Sequence, residues 1–163
     1  MINAIFAMDA NGGIGKNGTL PWPKNSRDFR WFRSHTTNKI VVMGKNTWDD
    51  PNMPKPLPNR HNVVITSKVN GLPYYENLDT VSIQDARSWL EKNSDKELFI
   101  IGGAKVLTEY WDLINRFYIT EFPDSYDCDT FISKDNLESM KSKRMWLVQS
   151  VFDYDDLQFK VYG

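Results

Sequence analysis

One carboxylate, Asp28, is predicted to lie on the aromatic face of a helix, where a charged side chain is unusual. It falls in the first turn of a helix that Asn25 or Ser26 is predicted to cap, and an acid there ordinarily only complements the helix dipole. Asp28 also precedes Trp31 and Phe32 by three and four residues, so the helical period places it on the aromatic face. Beside apolar walls the pKa of a carboxyl rises, and the edge of a cationic heterocycle would be a natural hydrogen-bond partner.

A glycine-rich segment precedes this helix, and we expect it to form a loop. The residues from Gly13 to Gly18 satisfy the dinucleotide fingerprint G-x-G-x-x-G and follow a predicted strand. That fingerprint must open a helix, whereas Pro21 and Pro23 remove backbone donors and push the residues before them out of the α region. We therefore expect a mobile lid from Asn11 to Leu20, held at its far end by the stiff Leu20-Pro21-Trp22-Pro23. An ordinary surface loop is the alternative.

Two strand-to-helix turns have a composition that suits phosphate. They are Gly44-Lys45-Asn46-Thr47 and Gly102-Gly103-Ala104-Lys105. Free N–H groups and a helix dipole favour an anion at such a place, although a single turn of this kind is commonly just a tight connection. Neither is a P-loop, because the first lacks the upstream glycine and has Asn46 where Ser or Thr should follow the lysine. With Thr66-Ser67 at a third strand end, they favour a dinucleotide across the carboxyl edge of the sheet.

Arg60 follows a turn that can hold its guanidinium rigidly. We place Pro58 at the second position of this turn and Asn59 in the left-handed conformation. A rigid guanidinium can pair bidentately with a carboxylate. From the residues alone, a solvated surface arginine is the more common outcome.

The elements that must position these residues are short apolar runs alternating with helix-length segments. Strands are predicted at Ile2 to Met8, Ile40 to Met43, Val63 to Thr66, Leu98 to Ile101 and Phe117 to Thr120. Helices are predicted at Ser26 to His35, Lys45 to Asp50, Ile83 to Lys92 and Ala104 to Leu113. The tail alternates as a hairpin, Trp146 to Val151 and Leu157 to Tyr162, around the turn Asp153 to Asp156. We expect one α/β domain, residues 1–163, with a mostly parallel central sheet flanked by helices and a C-terminal antiparallel hairpin.

Composition favours a small-molecule ligand. The chain has 163 residues and a formal net charge of −1, and its cations are scattered among acids, so nothing recommends nucleic acid or an anionic membrane as partner. One cysteine and two histidines exclude an internal disulfide and a Cys/His metal cluster. The start has no basic flank or apolar run typical of a signal peptide, and no segment could span a bilayer. We expect a cytoplasmic monomer with no bound metal.

These segments together resemble the dihydrofolate reductase family. The family's N-terminal signature is similar to Ile14-Gly15, Leu20-Pro21-Trp22, the helical Asp28 and Trp31-Phe32. Its strand, glycine turn and cofactor-binding helix resemble residues 41–48, and its Leu-Pro-Gly-Arg resembles Leu57-Pro58-Asn59-Arg60. Residues 100–105 and 117–120 complete the set. The resemblance covers essentially the whole chain in the family's order.

The resemblance implies NADPH-dependent reduction of 7,8-dihydrofolate to 5,6,7,8-tetrahydrofolate, which supports one-carbon metabolism. Hydride would pass from C4 of the nicotinamide to C6 of the pterin, with N5 protonated. Asp28 and Thr120 would bind the pterin edge, and Arg60 would bind the α-carboxylate of the glutamate tail. A water admitted past Leu20 and positioned by Trp22 would supply the proton. The walls of the substrate site would be Ile5, Ala7, Phe32, Leu57 and Ile101.

The resemblance also implies a cofactor site. Thr47, Thr66, Ser67 and Lys105 would contact phosphates, and Lys45 would be available for a ribose 2′-phosphate, which favours NADPH over NADH. Gly102-Gly103 would pass close beside the nicotinamide and pyrophosphate, because glycine permits such an approach. The other implied cofactor contacts are Ala7, Gly13, Ile14, Gly15, Leu20, Gly44, Asn46, Ile101, Ala104 and Val106.

Three features depart from the family pattern. Leu107 stands where Tyr or Phe is usual, residues Asp50 to Lys55 are proline-interrupted, and Cys128 takes a loop position where Gly is common.

Two other functions stay open. A reductase of a ribosylated pyrimidine in riboflavin biosynthesis would keep both glycine turns without needing Asp28 together with Arg60. A non-catalytic nucleotide-binding module would keep the turns without needing the lid or the acid.

Overall fold

The computed structural model describes residues 1–150 and 156–163. Within them the strands are β1 (Ile2–Met8), β2 (Gly13–Gly15), β3 (Ile40–Gly44), β4 (His61–Thr66), β5 (Leu78–Ser82), β6 (Leu98–Gly102), β7 (Arg116–Glu121), β8 (Thr130–Phe131), β9 (Met145–Ser150) and β10 (Gln158–Tyr162). The helices are α1 (Ser26–Thr36), α2 (Lys45–Asp49), α3 (Ala86–Lys92), α4 (Ala104–Glu109) and α5 (Lys134–Lys141), with a 3-10 turn at Trp111–Leu113. No helix in these residues is long and apolar enough to cross a membrane.

Eight of the strands form one sheet in the order β5-β4-β3-β6-β1-β7-β10-β9. The neighbours from β5 to β7 pair in parallel, whereas β10 runs antiparallel to β7 and β9 runs antiparallel to β10. The predicted fold class is therefore confirmed. Since parallel strands end at the same edge, the residues that follow β1, β3, β4 and β6 meet at one edge of the sheet.

Each face of the sheet carries its own apolar cluster. Because side chains alternate along a strand, the neighbours Val41 and Val42 on β3 belong to different clusters. Trp31 of α1 and Trp48 of α2 pack into the cluster that contains Val41. The opposite cluster, with Val42, includes side chains from the remaining helices: Leu90 of α3, Leu107 of α4 and Met140 of α5.

Several element bounds differ from those predicted. Helix α3 begins at Ala86 instead of Ile83, and the single helix predicted from Ala104 to Leu113 is α4 followed by the 3-10 turn. The sequence patterns did not predict β2, β5, β8 or α5. Strands β2 and β8 are very short, β5 is a half-exposed edge strand, and α5 is mostly polar. Val151 and residues 153–155 of the predicted tail turn lie outside the described residues.

Candidate active site

Asp28 lies where α1 meets β7. The side chain of Asn25 accepts hydrogen bonds from the N–H groups of Arg27 and Asp28, which confirms the predicted helix start. The hydroxyl of Thr120, a fully buried residue of β7, donates to Asp28 Oδ1 over 2.7 Å. Burial raises the pKa of Asp28, and the Thr120 hydrogen bond opposes this effect only in part. The structure thus pairs the two residues for which the family resemblance implies contact with the pterin edge.

The predicted walls of the substrate site belong to one apolar cluster. Ile5 and Leu57 are buried in it, and Ala7, Phe32 and Ile101 pack against it. Ala7 on β1 is the register partner of Thr120 on β7, so these two residues lie side by side. The structure therefore gathers the predicted walls on the face of the sheet to which α1 also contributes.

Arg60 is a buried cation. Asn59 has a φ of 59°, which confirms the left-handed conformation predicted for this turn. Arg60 is 9% exposed and donates through Nε to the Pro58 carbonyl over 2.9 Å and through Nη1 to Thr36 Oγ1 over 3.2 Å. Its guanidinium carbon lies 5.9 Å from the centre of the Phe32 ring.

The surroundings of Arg60 leave its charge available to an anion. Burial lowers the pKa of Arg60, and the nearby charge of Arg33 lowers it further. None of the ion pairs found in the described part of the chain includes Arg60. Because a buried charge without an opposite charge is costly, a carboxylate ligand is the natural partner for this guanidinium.

The two glycine turns lie side by side. Met43 on β3 is the register partner of Gly102 on β6, so the starts of α2 and α4 are neighbours. A Cβ on Gly102 or on Gly103 would lie 3.5 Å from Thr47 Oγ1. Gly102 has a φ of 132°, a backbone conformation that favours glycine. The helix-capping positions Gly44 and Gly103 provide no side-chain cap, which leaves the first N–H groups of both helices for another acceptor.

The charged and hydroxyl residues predicted to bind the cofactor differ in burial and in their hydrogen-bond partners. Thr66 is buried and its Oγ1 accepts from the Lys68 N–H over 3.1 Å, whereas Ser67 and Lys105 are exposed. Lys45 Nζ donates to both carboxylate oxygens of Asp49 at 2.7 Å. The lysine assigned to a 2′-phosphate is therefore already paired with an acid one helical turn away.

The lid segment is a loop, as predicted, but it has more structure than the sequence indicated. Residues Gly13–Gly15 form β2 and pair with β8, and a β-bridge joins Lys16 to Thr19 across a turn. Helix α1 begins at Ser26, after Pro21 and Pro23, so the glycine fingerprint does not open a helix. Leu20, at the end of the lid, is 49% exposed.

Trp22 anchors the far end of the lid. It is 5% exposed and stacks on Phe122, with ring centroids 4.5 Å apart. The edge of Tyr126 packs against it at 5.7 Å. Its indole N–H is buried and has no acceptor among the described residues, so it is an unsatisfied donor at this end of the lid.

Sequence reasoning gave no role to Asp9, which the structure places at the near end of the lid. It is 1% exposed, and its carboxylate accepts hydrogen bonds from three backbone N–H groups and from the Cys128 thiol. Burial raises the pKa of Asp9, but these hydrogen bonds outweigh that effect and lower it. The sequence offered one signal for this role, an acid directly after a strand and before the turn Asn11-Gly12. The other two donors, Tyr126 and Cys128, are more than a hundred residues away.

The residues that depart from the family pattern have separate surroundings. Leu107 is 1% exposed and packs in the cluster on the α3 and α4 face. The segment between Asp50 and Lys55 begins with turns in which Met53 N–H donates to the Asp50 carbonyl and Asn52 N–H to its carboxylate.

The chain matches known dihydrofolate reductases along its length. The family model described as "Dihydrofolate reductase" matches residues 1–151. A viral dihydrofolate reductase from Saimiriine herpesvirus 2 (strain 488) is 34% identical over 157 residues, covering 86% of this chain and 72% of the viral protein. Dihydrofolate reductase from Bacillus subtilis (strain 168) is 35% identical over 130 residues, covering 79% of this chain and 73% of that protein.

A solved structure extends the match to three dimensions. Dihydrofolate reductase from Enterococcus faecalis, complexed with NADP(H) and RAB-propyl, superposes with a TM-score of 0.77 at 27% identity. The superposition covers 100% of this chain and 95% of the other. With its sheet order, its Asp28–Thr120 pair and these matches, this chain belongs to the dihydrofolate reductase family.

Proposed function

We propose that the residues described above carry out NADPH-dependent reduction of 7,8-dihydrofolate to 5,6,7,8-tetrahydrofolate. The observation that carries this proposal is the Asp28 carboxylate, bonded to Thr120 over 2.7 Å at the edge of an apolar cluster. A carboxylate in such surroundings binds a flat heterocycle by its N–H edge, while the walls exclude water.

The substrate's two ends have separate partners. Asp28 and Thr120 bind the 2-amino and N3 edge of the pterin, and Ile5, Phe32 and Ile101 pack against its ring. Ala7 and Leu57 extend the same wall.

At the other end, Arg60 binds the α-carboxylate of the glutamate tail. Its bonds to Pro58 and Thr36 fix the plane of the guanidinium in advance. A fixed guanidinium also reduces the entropy lost on binding.

The residues at the edge of the sheet fit a dinucleotide. The paired turns offer uncapped N–H groups, and the lack of side chains at Gly102 and Gly103 leaves room for close approach. Gly44 contributes its backbone, since a Cβ there would lie 2.8 Å from Val106 Cγ2. The phosphates are held by Thr47, Thr66, Ser67, Lys105 and the backbone of Asn46 and Ala104. Lys45 binds the 2′-phosphate. Lid and wall residues complete the cofactor site: Ala7, Gly13, Ile14, Gly15, Leu20, Ile101 and Val106.

Bound NADPH supplies hydride from C4 of its nicotinamide to C6 of the pterin. The protein aligns the two rings and excludes bulk water, which removes much of the barrier. Asp28, with its raised pKa, holds the pterin edge and polarises the water that protonates N5. That water regains a proton from solvent, so each turnover consumes one hydride and one proton. The Trp22 indole N–H positions that water, since it lacks another acceptor in the described chain. Leu20, exposed at the lid end, controls its entry.

Residues 1–163 act as one domain in this proposal, and the protein works as a cytoplasmic monomer without a nucleic-acid or membrane partner. The near-neutral balance of charges supports this view, because it provides no basic field for polyanions.

The test is NADPH oxidation, followed by absorbance, on mixing the purified protein with dihydrofolate. NADH in place of NADPH is the comparison for cofactor choice. A ribosylated pyrimidine of the flavin pathway is the competing substrate. Turnover with that pyrimidine and none with dihydrofolate would overturn the proposal.

A further inference from the structure

We infer that Asp9 is a positioning residue for the reduction, which holds Trp22 in place through Tyr126. The inference rests on the proposed function, since its kinetic test uses that reaction. Asp9 directly follows β1 and is buried at the near end of the lid, 1% exposed.

The Asp9 carboxylate joins two separate loops. Oδ1 accepts from the N–H groups of Asn11 at 2.9 Å and Gly13 at 2.8 Å, both at the near end of the lid. Oδ2 accepts from the Tyr126 N–H at 2.9 Å and from the Cys128 thiol at 3.4 Å. Four donors match the acceptor capacity of a carboxylate, which accounts for a buried charge at this position.

Tyr126 carries this connection to the other end of the lid. Its ring packs edge-on against Trp22 at 5.7 Å and against Phe122 at 6.1 Å. Trp22 and Phe122 are themselves stacked. A single carboxylate therefore holds the start of the lid directly and its Pro-Trp-Pro end through one aromatic side chain.

Other hydrogen bonds attach the lid to the same loop but at different residues. The N–H of Asp129 donates to the Gly15 carbonyl at 3.0 Å, and the Ile132 N–H donates to the Gly12 carbonyl at 3.0 Å. Neither involves Tyr126, whose ring packs edge-on against Trp22. At Tyr126 the backbone N–H goes to Asp9, so this bond fixes the ring that supports the indole.

The replacement Asp9→Asn cuts this connection selectively. Its amide oxygen can still accept from one loop, but its NH₂ group then faces N–H or S–H donors of the other. The control is Asp124→Asn, an exposed acid in the same loop. We expect single-turnover hydride transfer to slow by about tenfold in Asp9→Asn, because small misplacements at the reacting centre are costly. Asp124→Asn should match the wild type.

Hydrogen exchange in the ligand-free protein gives a second measure. Amides of Leu20, Trp22 and residues 124–128 should exchange faster in Asp9→Asn than in Asp124→Asn. A lowered melting temperature with unchanged exchange there and unchanged hydride transfer would show that Asp9 is only structural, and would overturn the inference.

A double-mutant cycle tests the route through Trp22. If Asp9 acts through the indole, Asp9→Asn should change the hydride-transfer rate less than about twofold in a Trp22→Phe background. Full additivity of the two effects would overturn the inference.

Tyr126→Leu serves where Asp9→Asn fails to fold, because it keeps the backbone N–H bond and removes the supporting ring. It should show the same loss of rate and the same non-additivity, and a wild-type rate would contradict the inference. A wild-type protein that does not reduce dihydrofolate would instead refute the proposed function, and the exchange experiment would still report on the Asp9–Trp22 connection.

Discussion

Thr120 donates its hydroxyl hydrogen to Asp28 across 92 residues of sequence, over 2.7 Å. A threonine hydroxyl has one hydrogen, so this bond fixes its orientation and leaves its lone pairs as acceptors. No hydrogen bond among the described residues engages the other carboxylate oxygen of Asp28. The second carboxylate oxygen of Asp28 is therefore left as an acceptor, which the proposed function assigns to the N–H groups of the pterin edge.

Asp28→Asn should lose most of the activity while staying folded. We expect kcat/KM for dihydrofolate to fall at least about 100-fold, because the amide cannot supply the charge that the reaction requires. The helix-dipole contribution lost is only about 0.3–1 kcal/mol. Asp135→Asn, which changes the first-turn acid of α5, is the matched control. Wild-type turnover with a clearly lowered melting temperature would show that Asp28 serves only the helix.

The stability of the same variant should depend on pH in a defined direction. Burial raises the pKa of Asp28 above its ordinary value of 3.8. A raised carboxyl pKa contributes stability below 3.8, and this contribution is lost as pH rises through the folded-state pKa. The free energy of unfolding of Asp28→Asn, measured by urea unfolding relative to that of the wild type, should therefore be higher at pH 7 than at pH 4. A variant that loses more stability at pH 7 than at pH 4 would contradict this.

Arg60→Leu should weaken the substrate and spare the cofactor. Loss of a charge-assisted hydrogen bond costs about 1.5–3 kcal/mol, so the Kd for dihydrofolate should rise roughly 10- to 100-fold. The Kd for NADPH should stay within about twofold. Arg87→Leu is the control, since that arginine is partly exposed and paired with Asp112. Titration of both ligands by fluorescence is the measurement, and equal weakening of both would place Arg60 in the scaffold.

The sequence predicted local features better than long-range ones. A cap at Asn25 or Ser26 and a left-handed Asn59 follow from chemistry within three residues. The structure confirms both, with Asn25 as the cap. The Lys45–Asp49 pair could have been found from its i, i+4 spacing. The distant partners could not, namely Tyr126 and Cys128 for Asp9 and Thr36 for Arg60, because they come from elements that only the folded sheet brings together. Edge strand β5 was not predicted, because its residues are half-exposed and only weakly apolar.

Asp49 should weaken the preference for NADPH. Lys45 must leave or share its carboxylate partner to bind a 2′-phosphate, and the Asp49 charge repels that phosphate. An exposed pair is worth about 0.2–1 kcal/mol, so Asp49→Asn should raise the ratio of NADPH to NADH affinity up to about fivefold. Asp50→Asn is the neighbouring control. An unchanged or lowered ratio in Asp49→Asn would remove Lys45 from the 2′-phosphate site.

Cys128 should be a slowly reacting thiol. Burial raises its pKa, and the hydrogen bond and charge of Asp9 raise it further, to about 11. At pH 8 such a thiol is ionised to only ~0.1%, against roughly a quarter for an ordinary thiol of pKa about 8.5, and the thiolate is the nucleophile. We expect iodoacetamide to modify the native protein at least about 100-fold more slowly than the urea-unfolded protein. Because the chain has one cysteine, mass spectrometry reports this site alone. Asp9→Asn should accelerate the reaction and Asp124→Asn should not, whereas equal rates in native and unfolded protein would show that Asp9 does not hold the thiol.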